Sequence, residues 1–252
     1  MIVLNEYEWA EEAIRNHELG NKPSETLYRV AKYYVYKGET KKQVRKRLEE
    51  FLKACDPSAS IPKWGATIDF AINRANKYGL VEIDYIPITD TELAQIKKLD
   101  GKPIRRLAFT LLCLAKYWKA VNPKADGWVS NKDSDIMKLA NINTSVRRQS
   151  AMFSELNKSE MIQFSRKVDN NNVRVCFESE GEVVLKIDNF IDLGNQYLMY
   201  CGQPYYKCES CGRVVKKKSE TGRKPKYCPE CAARAKMKQS VESVMRSRNN
   251  TN

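Results

Sequence analysis

Four cysteines limit this chain more than any other feature: Cys208-x2-Cys211, then sixteen residues, then Cys228-x2-Cys231. A two-residue gap lets both sulfurs of a pair turn toward one ion, and two such pairs at this separation have the ligand spacing of a structural zinc ribbon. Gly212 directly after the second cysteine suits the tight turn of a first knuckle. Four sulfurs complete a tetrahedron and leave no position for water, so one structural Zn2+ is expected, held by Cys208, Cys211, Cys228 and Cys231. The segment between the pairs is expected to form a loop or hairpin that brings them together. The other cysteines, Cys55, Cys113, Cys176 and Cys201, are scattered. Cys113 in an apolar helix and Cys176 on a strand are expected to be small buried hydrophobes.

The charge is as uneven as the cysteines. The 252 residues carry a formal +13. From Gly202 to Asn252 there are 13 basic and 4 acidic residues, whereas the first 201 residues hold 31 and 27. A basic module of this kind meets a polyanion, most often nucleic acid. The apolar stretch Leu107 to Ala115 spans nine residues, against about 20 for a membrane-crossing helix. The start, Met-Ile-Val-Leu-Asn-Glu-Tyr-Glu, lacks the basic and apolar segments of a signal peptide. A cytoplasmic protein without a membrane partner is therefore expected. The single histidine, His17, sits in the polar context Arg-Asn-His-Glu near a helix end. It leaves catalysis that depends on histidine one poor candidate.

The first hundred residues read as helices. Glu6 to Asn16 is one, and Pro23 to about Tyr36 is a second, with proline at its start and Gly38 past its end. Its apolar face is Leu27, Val30, Ala31 and Tyr34. Thr40 and Gln43 form a capping-box pair before a helix carrying Val44, Leu48, Phe51 and Leu52. The opposite face of that helix is basic: Lys41, Lys42, Arg45, Lys46 and Arg47. Pro62 opens another helix with Trp64, Ile68, Ile72 and Ala75 in register. Leu80 to Ile86 alternates as a short strand would, and Thr89 with Glu92 is a second capping pair. A boundary is expected near Asp100 to Pro103.

Beyond it the order is an apolar helix (Arg105 to Val121), a minimal strand at Gly127-Trp128-Val129, a short helix (Ser134 to Ala140) and a turn at Asn141-Ile142-Asn143. Thr144 is read as the cap of a next helix with Val146, Phe153 and Leu156 inward. A hairpin follows: Met161 to Phe164, a tip at Asp169 to Asn172, and Val173 to Phe177. Helix, small strand, helix, turn, helix, hairpin is the order of a winged helix-turn-helix, and Ile136 to Ile162 resembles the bacterial winged-helix pattern. Lys158-Ser159-Glu160 stands where such proteins often have glycine. With its four-cysteine end, the chain is similar to phage and mobile-element proteins of low-GC Gram-positive bacteria. Pro23 to Tyr78 more distantly resembles the small helical domain C-terminal to phage and plasmid primases, without a primase catalytic motif.

These readings give an α+β, mostly helical protein: residues 1–100 a helical domain, 101–187 a winged helix-turn-helix, 188–204 a connector, and 205–252 a zinc ribbon with a basic helix and tail. On the helix after the turn, Thr144, Arg147, Arg148 and Ala151 project outward where a major-groove reader places its contacts, while Glu155 on the same face repels phosphate. Arg166, Lys167 and Arg174 on the wing strands would grip backbone. Lys216, Lys217, Lys218, Arg223, Lys224 and Lys226 between the cysteine pairs, then Arg234, Lys236 and Lys238 after them, supply phosphate-seeking charge. Met237, Val241, Val244 and Met245 fall at helical spacing, the alternative reading of this helix being a partner or self-association stripe. Core packing explains most of the 13 tyrosines, and carboxylate pairs such as Glu82 with Asp84 come without a phosphate loop.

The expected function is therefore non-enzymatic DNA binding in phage or mobile-element replication or transcription, with duplex DNA favoured over RNA. The alternatives are an RNA- or ribonucleoprotein-binding counter-defence protein, such as an inhibitor of a CRISPR effector, and a scaffold for a replication or transcription enzyme.

Overall fold

The computed structural model describes residues 2–166, 172–217 and 225–249, without the side chains of 238 and 244–249. The chain divides into two compact units, Met1–Tyr85 and Ile86–Asn252.

The first unit is helical. α1 (Glu6–Asn16) is capped by the Asn5 side chain, which accepts from the Glu8 amide, and ends on His17 in left-handed conformation at φ 50°. His17 is exposed, as its polar context implies. α2 (Pro23–Tyr36), α3 (Lys41–Cys55) and α4 (Ile61–Ala75) enclose one core. Leu27, Val30 and Ala31 meet Val44, Leu48 and Phe51 from α3 and Ile68, Ala71, Ile72 and Ala75 from α4. The capping box forms as expected: Gln43 Oε1 accepts from the Thr40 amide at 2.8 Å, and Thr40 Oγ1 accepts from the Gln43 amide. The basic face of α3 is largely neutralised within the unit. Arg45 pairs with Glu49 and Asp69, Lys46 with Glu50, and Arg47 with Glu39.

In the second unit, β1 (Ile86–Thr89) precedes α5 (Asp90–Lys97) and the long α6 (Lys102–Val121). Leu107 to Ala115 of α6 are all buried, which makes this helix the centre of the unit. β2 (Trp128–Val129), α7 (Asp133–Leu139), α8 (Val146–Lys158), β3 (Ile162–Phe164) and β4 (Val173–Val175) follow. The three strands form an antiparallel sheet in the order β2-β4-β3. β5 (Val183–Ile187) returns to pair with β1, Ile187 opposite Ile86. α9 (Leu193–Tyr200) lies on α6, and β6 (Tyr205–Lys207), β7 (Val214–Lys216) and α10 (Pro229–Asn249) complete the chain.

Glu92 ties this unit together from a fully buried position. It closes the capping box with Thr89, accepts from the Ser179 amide and pairs with Lys116 of α6 at 2.7 Å. Every lone pair of a buried carboxylate needs such partners, because an unpaired buried charge costs several kcal/mol.

Several expectations are corrected here. The division falls at Tyr85 rather than between Asp100 and Pro103, because β1 and α5 belong to the second unit through the β5 pairing and Glu92. The strand is Ile86–Thr89; within Leu80 to Tyr85 only Glu82 makes a bridge, to Asn5. Residues 188–204 are not a connector, since Leu193 to Leu198 of α9 are all buried. The four-cysteine segment is likewise part of the second unit, not a separate domain. Cys176 lies beyond β4 and is exposed, while Cys113 is buried as expected. Among the described residues no helix is long and apolar enough to cross a membrane.

Candidate metal centre and nucleic-acid face

β6 and β7 form a hairpin whose turn is the first cysteine pair, so the hairpin spans Cys208 and Cys211 instead of the gap between the two pairs. Gly212, at φ 69°, provides the left-handed residue that closes this turn, its amide donating to the Cys208 carbonyl. The second pair opens α10, with Cys228 just before its first residue and Cys231 in its first turn.

The four sulfurs lie within 4.8 Å of one another, and Cys211 and Cys228 are 3.8 Å apart. The edge of a tetrahedron with metal–sulfur bonds of about 2.3 Å is about 3.8 Å. Backbone amides point at the sulfurs as they would at thiolates: Cys228 N–H donates to Cys208 Sγ and Cys231 N–H to Cys228 Sγ. Burial opposes a charge at Cys208, yet amide donors from Cys228, Cys211 and Ser210 outweigh it and bring its thiol down to about 6. Burial and the neighbouring sulfurs push Cys211 up to about 12. One thiolate is thus favoured and the next resisted unless a cation joins them. The four residues fit a metal ion.

The hairpin is held from both sides. Arg213 approaches Asp192 at 3.6 Å and Glu230, in the first turn of α10, at 3.0 Å. Lys207 pairs with Asp188. From α9, the buried Asn195 donates to the Val214 carbonyl at 2.9 Å and accepts from Asn141 Nδ2 at 2.9 Å. Asn141 lies in the turn between α7 and α8 at φ 52°, and its carbonyl accepts from Arg106 of α6. Neither Asn195 nor Gly194 was among the sequence candidates. Only the helix-spaced Leu193, Tyr197 and Tyr200 carry a local signal for α9.

The expected nucleic-acid residues fall into different situations. Arg147 and Arg148 are exposed on the first turn of α8, with no ion pair among the described residues. The cap of α8 is Ser145, accepting from the Arg148 amide, and Thr144 stands one residue outside. The inward face is Met152, Phe153 and Leu156; Val146 is 76% exposed instead, because it starts the helix ahead of the packed turns. Ala151 is exposed as read, but Glu155 is half-buried and not fully outward. Glu160 takes φ 57° in the turn where glycine is common.

Arg166, Lys216, Arg234 and Lys236 are exposed and Lys217 is half-buried. Arg174 is committed elsewhere: it pairs with Asp126 at 2.6 Å and also bonds the Asp126 carbonyl. Lys226 faces Glu209 at 4.0 Å. Lys167, Lys218, Arg223 and Lys224, with the expected hairpin tip from Asp169 to Asn171, lie outside the described residues. The side chains of Lys238, Val244 and Met245 do so too. No protein-family model, curated protein or solved structure matches this chain.

Proposed function

We propose that the protein is a non-enzymatic duplex-DNA-binding protein whose second unit uses a winged helix-turn-helix, with a structural zinc ion at the four cysteines. The observation that carries this reading is Arg147 and Arg148, exposed together on the first turn of α8, with α7 and its turn before it and the β2-β4-β3 sheet behind. A helix N-terminus adds its own positive field to such side chains. An arginine there reaches guanine O6 and N7 in the major groove, and Val146 beside it offers an apolar contact to a thymine methyl. Arg166, two residues beyond β3, and Lys216 on β7 supply charge for the phosphate backbone. Zinc is favoured because an all-sulfur tetrahedral donor set suits a borderline-soft ion with no geometric preference of its own. The setting we propose for this activity, replication or transcription of a phage or mobile element, rests on the resemblance read from the sequence alone.

The test is charge reversal. Arg147→Glu with Arg148→Glu lowers duplex affinity by about tenfold or more, since one good arginine–guanine contact is worth about 1–3 kcal/mol. Unchanged affinity would remove α8 from the interface.

One observation favours a second reading, a scaffold for a replication or transcription enzyme: Met237 and Val241 on α10 are 71% and 49% exposed. A stable protein partner lost on Met237→Lys, with no duplex affinity at physiological salt, would support it.

A further inference from the structure

The metal hairpin and the turn that launches α8 are joined through one buried side chain. Asn195 is 6% exposed. Its amide nitrogen donates to Val214, three residues after Cys211, and its amide oxygen accepts from Asn141. A side-chain amide in that position uses one donor and one acceptor in opposite directions, so neither end is left unsatisfied. Next to it, Gly194 lies directly on the backbone of Ala140, the residue that caps the C-terminus of α7. A Cβ there would fall 1.9 Å from the Ala140 carbonyl oxygen. Asn141, the residue that follows, is held in left-handed conformation with its carbonyl bonded to Arg106. The turn is therefore held at three points, by Arg106 of α6 and by Gly194 and Asn195 of α9, and Asn195 is in turn bonded to the strand that leaves the cysteine knuckle.

We propose that Asn195 is a positioning residue that couples metal occupancy at the four cysteines to the order of the α7–α8 turn, and so to the presentation of Arg147 and Arg148. The structural link stands on the contacts alone, while its consequence for nucleic acid rests on the α8 reading above. Without an ion the knuckle loses the tetrahedral point that sets Val214 at the start of β7. Asn195 then loses a fixed acceptor, and the orientation of its oxygen toward Asn141 is no longer enforced. Coupling of this kind travels through packed, hydrogen-bonded elements and commonly changes a distant equilibrium by about 5–150-fold.

The experiment is amide hydrogen exchange on the full chain, zinc-loaded and after chelation, with zinc stoichiometry measured in parallel. Chelation is expected to speed exchange at the amides of 140–148 by about tenfold, leaving the mid-α6 amides and α2 to α4 unchanged. Asn141→Gly keeps the left-handed backbone but removes the donor to Asn195. This variant is expected to bind zinc normally and to lose most of the response of the turn to chelation. Asn195→Asp keeps the acceptor but sets a buried carboxylate oxygen against the Val214 carbonyl, so it is expected to lose the response of the turn and also to weaken the second unit.

The proposal is overturned if the turn is indifferent to chelation, or if Asn141→Gly responds as fully as the natural chain. A uniform rise throughout α6 overturns it too, because that is loss of the whole unit. A protein that binds no zinc overturns it together with the metal reading. Exchange coupling in a protein that ignores DNA would sink only the α8 reading.

Discussion

Gly194 sits so close to Ala140 that a single added methyl group would occupy the space of the Ala140 carbonyl oxygen, 1.9 Å from the ideal Cβ position. Two backbones are in direct contact where α9 meets the end of α7. Gly194→Ala is therefore expected to destabilise the second unit by about 3 kcal/mol, at the upper end of overpacking penalties because backbone yields less than side chain. Chemical denaturation followed by tryptophan fluorescence measures it. A change within about 0.5 kcal/mol would show that the two elements separate easily.

The same contact explains why α9 was unreadable as a packed helix. Helical periodicity signals one buried face, yet all six residues from Leu193 to Leu198 are buried, Asn195 and Gln196 included. Their polar types read locally as a connector, and the partners of Asn195, Val214 on β7 and Asn141 in the α7–α8 turn, come from distant parts of the chain. The β1–β5 pairing was invisible for a similar reason, since its strands lie far apart in sequence. Where the chemistry is local, the sequence was legible. Both capping boxes form at the residues that suggested them, and the four cysteines converge as their spacing implies. The cap of α8 fell between two adjacent hydroxyl residues, and backbone geometry chose Ser145 over Thr144.

Glu92 and Lys116 allow a separate test of the second unit. Glu92→Gln keeps a capping side chain and leaves Lys116 charged, almost buried and without its carboxylate. The expected cost is about 3–5 kcal/mol, with much of it recovered when Lys116→Met is added. Equilibrium unfolding of the two single variants and the double variant gives the coupling. Additive losses would mean the pair does not interact.

Tyr33 gives a pH dependence in the first unit. Burial, with the hydrogen bond from its hydroxyl to Glu11, pushes its phenol up to about 12 from an ordinary value near 10. A raised folded value means the stabilisation is present below pH 10 and is lost as pH rises from about 10 to 12. The stability difference between the natural chain and Tyr33→Phe should shrink over that interval. A constant difference in urea titrations at several alkaline pH values would contradict the assignment.

Replacing Cys208 and Cys211 by Ser should remove bound zinc altogether, since two ligands of four are lost. Zinc analysis of the purified variant checks this, and calorimetry checks its reach. The second unit should melt at lower temperature while the first keeps its transition. Full zinc content would refute the four-sulfur site.

Binding of the zinc-loaded protein to matched duplex DNA, single-stranded DNA and structured RNA, followed by fluorescence anisotropy across a salt series, tests duplex recognition by α8 most directly. Duplex DNA should bind tightest, with affinity falling steeply with salt yet still measurable at physiological ionic strength. Tighter binding to RNA, or loss of all binding at that ionic strength, would contradict it.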